Sequence, residues 1–243
     1  MCGRFARKDI DTFLVKVFDI DNLDQHRQTI GRFPLYNVSP TNEVPVVVQD
    51  GGRRLVKPMK WWFIPSWSRT GKPDHYATFN ARADKIVDPQ NRLWHPAFKS
   101  RRCIVPVSGF YEWKKTTVKQ PYYIYLKDSP VMALAGLWDV WRPPTPKQDQ
   151  PPTDNAPFYS FAIVTTDPNE LMTEIHPRMP VILDPSNYQQ WLDPGNHNLK
   201  DLEKLLRPFP TELMAKHRAP KEVGKAGYEA PDLVEPAPRD SLF

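Results

Sequence analysis

The chain begins Met1-Cys2-Gly3-Arg4-Phe5. Removal of Met1, expected when a small residue follows it, turns Cys2 into a 1,2-aminothiol. An α-amine has an ordinary pKa of ~7.7–8.0 and a thiol ~8.5, so both nucleophiles are partly deprotonated near neutral pH. The amine can attack an aldehyde to give a Schiff base, and the thiol can then close onto the imine carbon as a five-membered thiazolidine. Cys103, inside the apolar run of Arg101-Arg102-Cys103-Ile104-Val105-Pro106-Val107, has no such amine and reads as inert core. A start codon followed by a small residue is common, so Cys2 needs partners elsewhere in the chain.

Three stretches offer them. In Asn80-Ala81-Arg82-Ala83-Asp84, Asn80 and Arg82 are two apart in an extended segment and face one side. Asparagine can hydrogen-bond a sugar or carbonyl oxygen, and arginine forks onto phosphate. Taken alone, the pair also reads as a turn asparagine and a solvated arginine. Ser108-Gly109-Phe110-Tyr111-Glu112-Trp113 sets a carboxylate between aromatic residues. Desolvated there, Glu112 exchanges protons near pH 7; exposed, it is an ordinary surface acid. His176, in His176-Pro177-Arg178-Met179-Pro180, follows a helix start and precedes an apolar strand, the most constrained setting among the six histidines. Trp67, after Pro65-Ser66 at a strand exit, suits a stacking platform better than Trp61, which reads as core.

The elements that must hold these groups follow from apolar spacing. Ile10, Phe13, Leu14, Val17 and Phe18 repeat as one helical face, with Asp9 as N-cap, and would tether the segment behind Cys2. Strands are expected at 45–49 and 57–64 around Asp50-Gly51-Gly52, at 101–107 with a basic entrance, and at 160–166. Residues 122–126 and 131–138 read as a hairpin. Asp167, Pro168 and Glu170 read as N-cap, N1 and N3 of a helix, with further short helices at 184–192 and near 199–206. Residues 142–157 form a proline-rich exposed loop, and 208–243 read as an irregular C-terminal segment of the same single domain, 1–243.

Composition narrows the classes. The 28 prolines, about twice average usage, favour short strands and few long helices. No apolar run approaches the ~18–20 residues of a membrane span, so a soluble, cytoplasmic protein without membrane contact is expected. Two cysteines make no disulfide framework. Without CxxC, HExxH or a close histidine pair, neither a metal nor a cofactor is expected. The 33 basic against 28 acidic residues, +5 overall, permit nucleic-acid binding without requiring it.

The four motifs, in this order and spacing, closely resemble the SRAP family, the SOS-response-associated peptidases understood as abasic-site processing proteins. The resemblance runs from Met1 to about Leu192 and more weakly to Pro236. It implies an α+β, mainly β fold: an irregular, barrel-like antiparallel sheet flanked by short helices, with a basic cleft for single-stranded DNA. It further implies loss of Met1 and a thiazolidine between Cys2 and the ring-opened sugar of an abasic site, with Asn80, Glu112 and His176 at the other active-site positions. Expected partners are single-stranded DNA containing abasic sites and single-strand/duplex junctions, met by a monomer, nucleoid-associated if the source is bacterial. On that reading Arg4 and Arg82 grip phosphates, Trp67 and Trp113 contact bases, and a lyase side reaction is natural. A cysteine peptidase using Cys2 with His176, and a non-catalytic reader of damaged DNA, are the rival classes. Trp62, Asp84, Ser108 and Gly224 stand where the family usually has other residues.

Overall fold

The computed structural model describes residues 2–8, 14, 16–20, 35–72, 77–114, 119–143 and 156–238. Its strands are β1 (Arg4–Ala6), β2 (Glu43–Asp50), β3 (Arg53–Trp61), β4 (Asn80–Arg82), β5 (Arg102–Val107), β6 (Gly109–Lys114), β7 (Gln120–Leu126), β8 (Met132–Trp141), β9 (Phe158–Thr166), β10 (Met179–Pro180) and β11 (Met214–Arg218).

Five of these close a barrel in the order β3, β2, β5, β8, β9 and back to β3. Gly51 and Gly52, at φ 56° and 80°, make the β2–β3 turn in a conformation that side chains disfavour. The closing seam, Lys60 opposite Ser160 and Trp61 opposite Phe161, is parallel, unlike the antiparallel sheet expected. Alternate residues feed two apolar clusters. Val47, Val56, Ile104, Ala135 and Ala162 pack beneath Phe98 of helix His95–Ser100 and Trp191 of helix Tyr188–Leu192. Val46, Met59, Trp61, Cys103, Val105, Phe161 and Ile163 pack together, and this second cluster also takes in Cys2 and Phe5. Each fully buried large side chain contributes on the order of 1.5–3 kcal/mol.

A second, antiparallel sheet runs β1, β6, β7, β11. The expected hairpin of 122–126 with 131–138 is therefore incorrect. β7 pairs with β6 and β11, whereas β8 pairs with β5 and β9. Side-chain volume explains the split. Small residues of β8 fit the barrel wall, where a Cβ on Gly136 would meet Cys103 Sγ at 2.7 Å, while Tyr123 of β7 packs at a tilt against Tyr111 and stacks on Tyr125. β11 is a strand inside the segment expected to be irregular; its polar residues hide a register set entirely by β7.

Of the N-terminal helix, Leu14 and residues 16–18 are helical, with Leu14 and Phe18 fully buried; the rest of that stretch, with Asp9, lies outside the described residues, as does most of the 142–157 loop. The helix after β9 begins two residues later than expected, at Glu170, capped by Asn169 rather than Asp167. Asn169 wins because its carbonyl oxygen accepts from Met172 N–H at 3.0 Å while its amide donates to Phe209 O at 2.8 Å. No helix of the described residues is long and apolar enough to cross a membrane.

Candidate active site

β9 outruns the barrel at its C-terminal end, and that overhang organises the site. On one edge β4 continues where β3 stops, pairing Asn80 with Ile163 and Arg82 with Thr165; on the other, β10 continues where β8 stops, pairing Pro180 with Thr165. Asn80 thus stands at the barrel rim, and His176, three residues before β10, is delivered to the far flank of the same strand end.

The N-terminus reaches this rim through β1, whose pairing of Arg4 with Tyr111 and Phe5 with Phe110 carries Cys2 towards the Glu112–Trp113 end of β6. Cys2 is 1% exposed, and its thiol points back to Arg4 O at 3.9 Å. Asn80 Nδ2 donates to Cys2 O at 2.8 Å, which ties the segment leading into β1 to the barrel. The Asn80 carbonyl oxygen is buried without a hydrogen-bond partner among the described residues. An acceptor so placed is costly to leave unmet, and it suits the proton of an amine or hydroxyl arriving beside Cys2. Glu112 is 6% exposed. Burial first, and the Glu112 charge second, push the Cys2 thiol well above the ordinary thiol range.

His176 Nδ1 lies 3.1 Å from the Arg178 backbone nitrogen and 3.2 Å from its oxygen. It can accept from the N–H when unprotonated and donate to the carbonyl when protonated, so one loop turn supports the ring in either state. That loop also places Arg178, which the motif contains but its pattern did not single out. Arg178 donates to Thr165 O at 2.6 Å and faces Asp167 at 3.4 Å and Asp84 at 4.0 Å. Burial, and then the Arg82 charge, lower its pKa, so two guanidinium groups crowd one flank of the site. The signal that could have found it is the position after His-Pro, where a long cation next to a short strand can fold back onto the neighbouring strand.

The residues expected to bind DNA divide. Arg82 is exposed and forks onto Asp84 at 2.8 and 2.9 Å; solvent screens an exposed pair of this kind, which can be exchanged for a phosphate. Arg4 donates to Asn37 Oδ1 at 2.7 Å, so part of its guanidinium is committed inside the protein. Trp67 is 63% exposed. Its loop is pinned by Ser66 N–H to Asp139 Oδ2 at 2.9 Å and Trp141 Nε1–H to Ser68 O at 2.8 Å, so the ring projects from a rigid base. Trp113 is half-buried against the apolar cluster that holds Tyr111, Tyr123 and Val223. Trp62 leans on Phe79 at 5.4 Å. The basic strand entrance is structural: Arg102 is buried and donates to the carbonyls of Trp191 (2.7 Å), Phe98 (2.6 Å) and Asp193. Among the described residues no cluster of His, Cys, Asp and Glu could hold a metal ion.

A family profile described as "SOS response associated peptidase (SRAP)" matches residues 1–226. The chain belongs to the SRAP family. It is 34% identical over 241 residues to the abasic site processing protein YoqW of Bacillus subtilis, covering 97% of this chain and 99% of the relative. The abasic site processing protein HMCES of Rattus norvegicus is 29% identical over 253 residues, 88% of this chain and 68% of the relative. Among solved structures, a protein from Bacteroides thetaiotaomicron superposes with a TM-score of 0.78 at 27% identity, covering 98% of this chain and all of that one. Membership accounts for the mainly β architecture with short helices.

Proposed function

We propose that the protein processes abasic sites in single-stranded DNA by linking Cys2 covalently to the damaged sugar. The observation that carries this reading is the tethering of Cys2 by the Asn80 amide, 2.8 Å from its carbonyl, where the charge of the buried Glu112 carboxylate acts on its thiol. After Met1 is removed, the Cys2 amine attacks the C1′ aldehyde of the ring-opened deoxyribose. Loss of water gives the imine, with Glu112 carrying the proton to the departing oxygen. The thiol sulfur then adds to the imine carbon and its proton passes to nitrogen, closing the thiazolidine. Asn80 holds the amine in line through its unmet carbonyl oxygen, and His176 contacts the neighbouring 3′ phosphate or relays a proton. If the ring closes slowly, the imine acidifies the adjacent C2′ and β-elimination follows, a lyase reaction.

In the chain that still carries Met1, burial and then the Glu112 charge hold the Cys2 thiol above the ordinary range, so this form offers no ready thiolate of the kind a cysteine peptidase uses. In thiazolidine formation the amine attacks first, and a protonated thiol brings its own proton to the ring nitrogen. Arg82, Arg178 and Arg4 would hold phosphates, and Trp67 and Trp113 would stack on bases beside the lesion.

Intact-mass measurement tests the reading. Purified protein should lack Met1, and incubation with an oligonucleotide carrying one abasic site should give a heat-stable 1:1 adduct of the summed masses less one water. Retained Met1, or no adduct, would overturn it.

A further inference from the structure

Glu229 lies on an exposed C-terminal turn with no secondary structure of its own, yet its carboxylate reaches 194 positions back along the chain. It accepts the backbone N–H groups of three consecutive residues: Leu35 at 2.9 Å, Tyr36, and Asn37 at 3.3 Å. The contact is returned. Asn37, 4% exposed, donates its side-chain amide to Tyr228 O at 2.7 Å and Lys225 O at 3.2 Å. Its Oδ1 accepts from Arg4 at 2.7 Å. Tyr111 of β6 donates its hydroxyl to Tyr36 O at 2.8 Å.

The clamped segment is the outer neighbour of β1. Phe5 N–H donates to Val38 O at 3.2 Å, Val38 N–H to Phe5 O at 2.9 Å and Arg7 N–H to Leu35 O at 2.6 Å. β1 therefore lies between β6 and residues 35–38, and Cys2 stands two residues beyond its end. A three-residue strand held on one edge frays; held on both, it delivers its terminal residue to a fixed point. Glu229 lies past residue 226, where the family match ends, while its three partners at 35–37 lie inside that match.

We infer that Glu229, acting through Asn37 and Arg4, is a positioning residue that fixes Cys2 for attack on the abasic sugar. The inference rests on the reading given under Proposed function. The C-terminal clasp makes no contact with the reacting atoms in this assignment. It sets where the amine stands, and misplacement of a reacting group by about 1 Å can cost on the order of 100-fold in rate.

The test uses the full-length chain with Glu229→Ala, Asn37→Ala, the double variant, and Glu229→Asp as the conservative partner. Two readouts are taken. One is backbone hydrogen exchange without DNA. Exchange at Phe5 and Arg7, whose N–H groups are held by 35–38, should accelerate about tenfold or more in Glu229→Ala, with the amides of β5 and β8 unchanged. The other is adduct formation on an abasic oligonucleotide. The maximal rate should fall about 10- to 100-fold, with half-saturating DNA nearly unchanged, partial recovery in Glu229→Asp, and no further loss in the double variant. Unchanged exchange at Phe5 and Arg7, or faster exchange throughout the barrel, overturns the proposal whatever the DNA result. Local loosening with a full adduct rate overturns the link to chemistry. Local loosening in a protein whose wild type forms no adduct supports the clasp and removes the functional reading beneath it.

Discussion

The two cysteines sit in the same apolar cluster, 1% and 0% exposed, and burial raises both thiols far above their ordinary pKa. What separates them is the surroundings. Cys103 lies in the middle of β5, paired with Gly136 of β8, and its sulfur fills the space that a glycine leaves. Burial is the one influence on its thiol. Cys2 lies outside any strand, with a carboxylate acting on its thiol and an asparagine amide on its carbonyl. Reactivity here does not come from an activated thiol. On the proposed reading it comes from a backbone end, which would supply an amine after Met1 is lost, held beside the Asn80 amide and the buried Glu112.

That comparison breaks most sharply on substitution. Cys2→Ala should abolish the heat-stable adduct with abasic DNA, while Cys103→Ala should keep its rate within about twofold and lose only the stability of a small cavity, about 1–2 kcal/mol. Cys2→Ser is the finer probe. It keeps the amine and loses the sulfur, so a borohydride-trappable imine and increased strand scission should replace the heat-stable product, read by denaturing gels with and without reductant. An adduct that survives in Cys2→Ala and disappears in Cys103→Ala would invert the assignment.

Removing the charge beside Cys2 should change the two thiols differently. In Glu112→Gln the negative charge that raises the Cys2 pKa is gone, so alkylation of Cys2 at pH 8 should quicken, while Cys103, which Glu112 does not affect, should not respond. Burial remains the larger influence, so the thiol still titrates above the ordinary range and alkylation still rises with pH. Adduct formation should move the opposite way and slow by about 10²–10⁴-fold, the usual contribution of a positioned acid–base group. A variant in which both rates rise would show that Glu112 shields the thiol without serving the reaction.

Much of this contrast is legible in the sequence, because Cys2, Asn80, Glu112 and His176 each sit in a short motif whose neighbours fix local geometry. The run Val46-Val47-Val48 gives β2, and Asp50-Gly51-Gly52 gives the turn that follows. What the sequence does not carry is pairing between distant stretches. Short apolar and aromatic runs say that 122–126 and 131–138 are strands; only aromatic volume against Tyr111 and the close fit at Gly136 send them to different sheets. Arg178 acquires its role when β10 lies on β9 and its guanidinium meets Thr165 O. Glu229 is the extreme case. An exposed acid in a polar turn has no local signature, and its three amide partners lie nearly the whole chain away.

The smallest effect probes the inert thiol itself. A Cβ added at Gly136 would stand 2.7 Å from Cys103 Sγ, 3.2 Å from Ala162 O and 3.3 Å from a Val105 methyl. Gly136→Ala alone should therefore destabilise the barrel by about 1–3 kcal/mol, the cost of overpacking. In a Cys103→Ala background the closest of these contacts is gone and the two that remain need shifts of only a few tenths of an ångström. The double variant should then be more stable than the sum of the single changes predicts, by about 0.5–3 kcal/mol of coupling in denaturant melts. Strict additivity would mean that the Ala162 carbonyl, not the sulfur, sets the limit at this position. In either case the adduct rate of the folded double variant should match wild type, because Cys103 supplies volume to the wall that Cys2 leans on and takes no part in its chemistry.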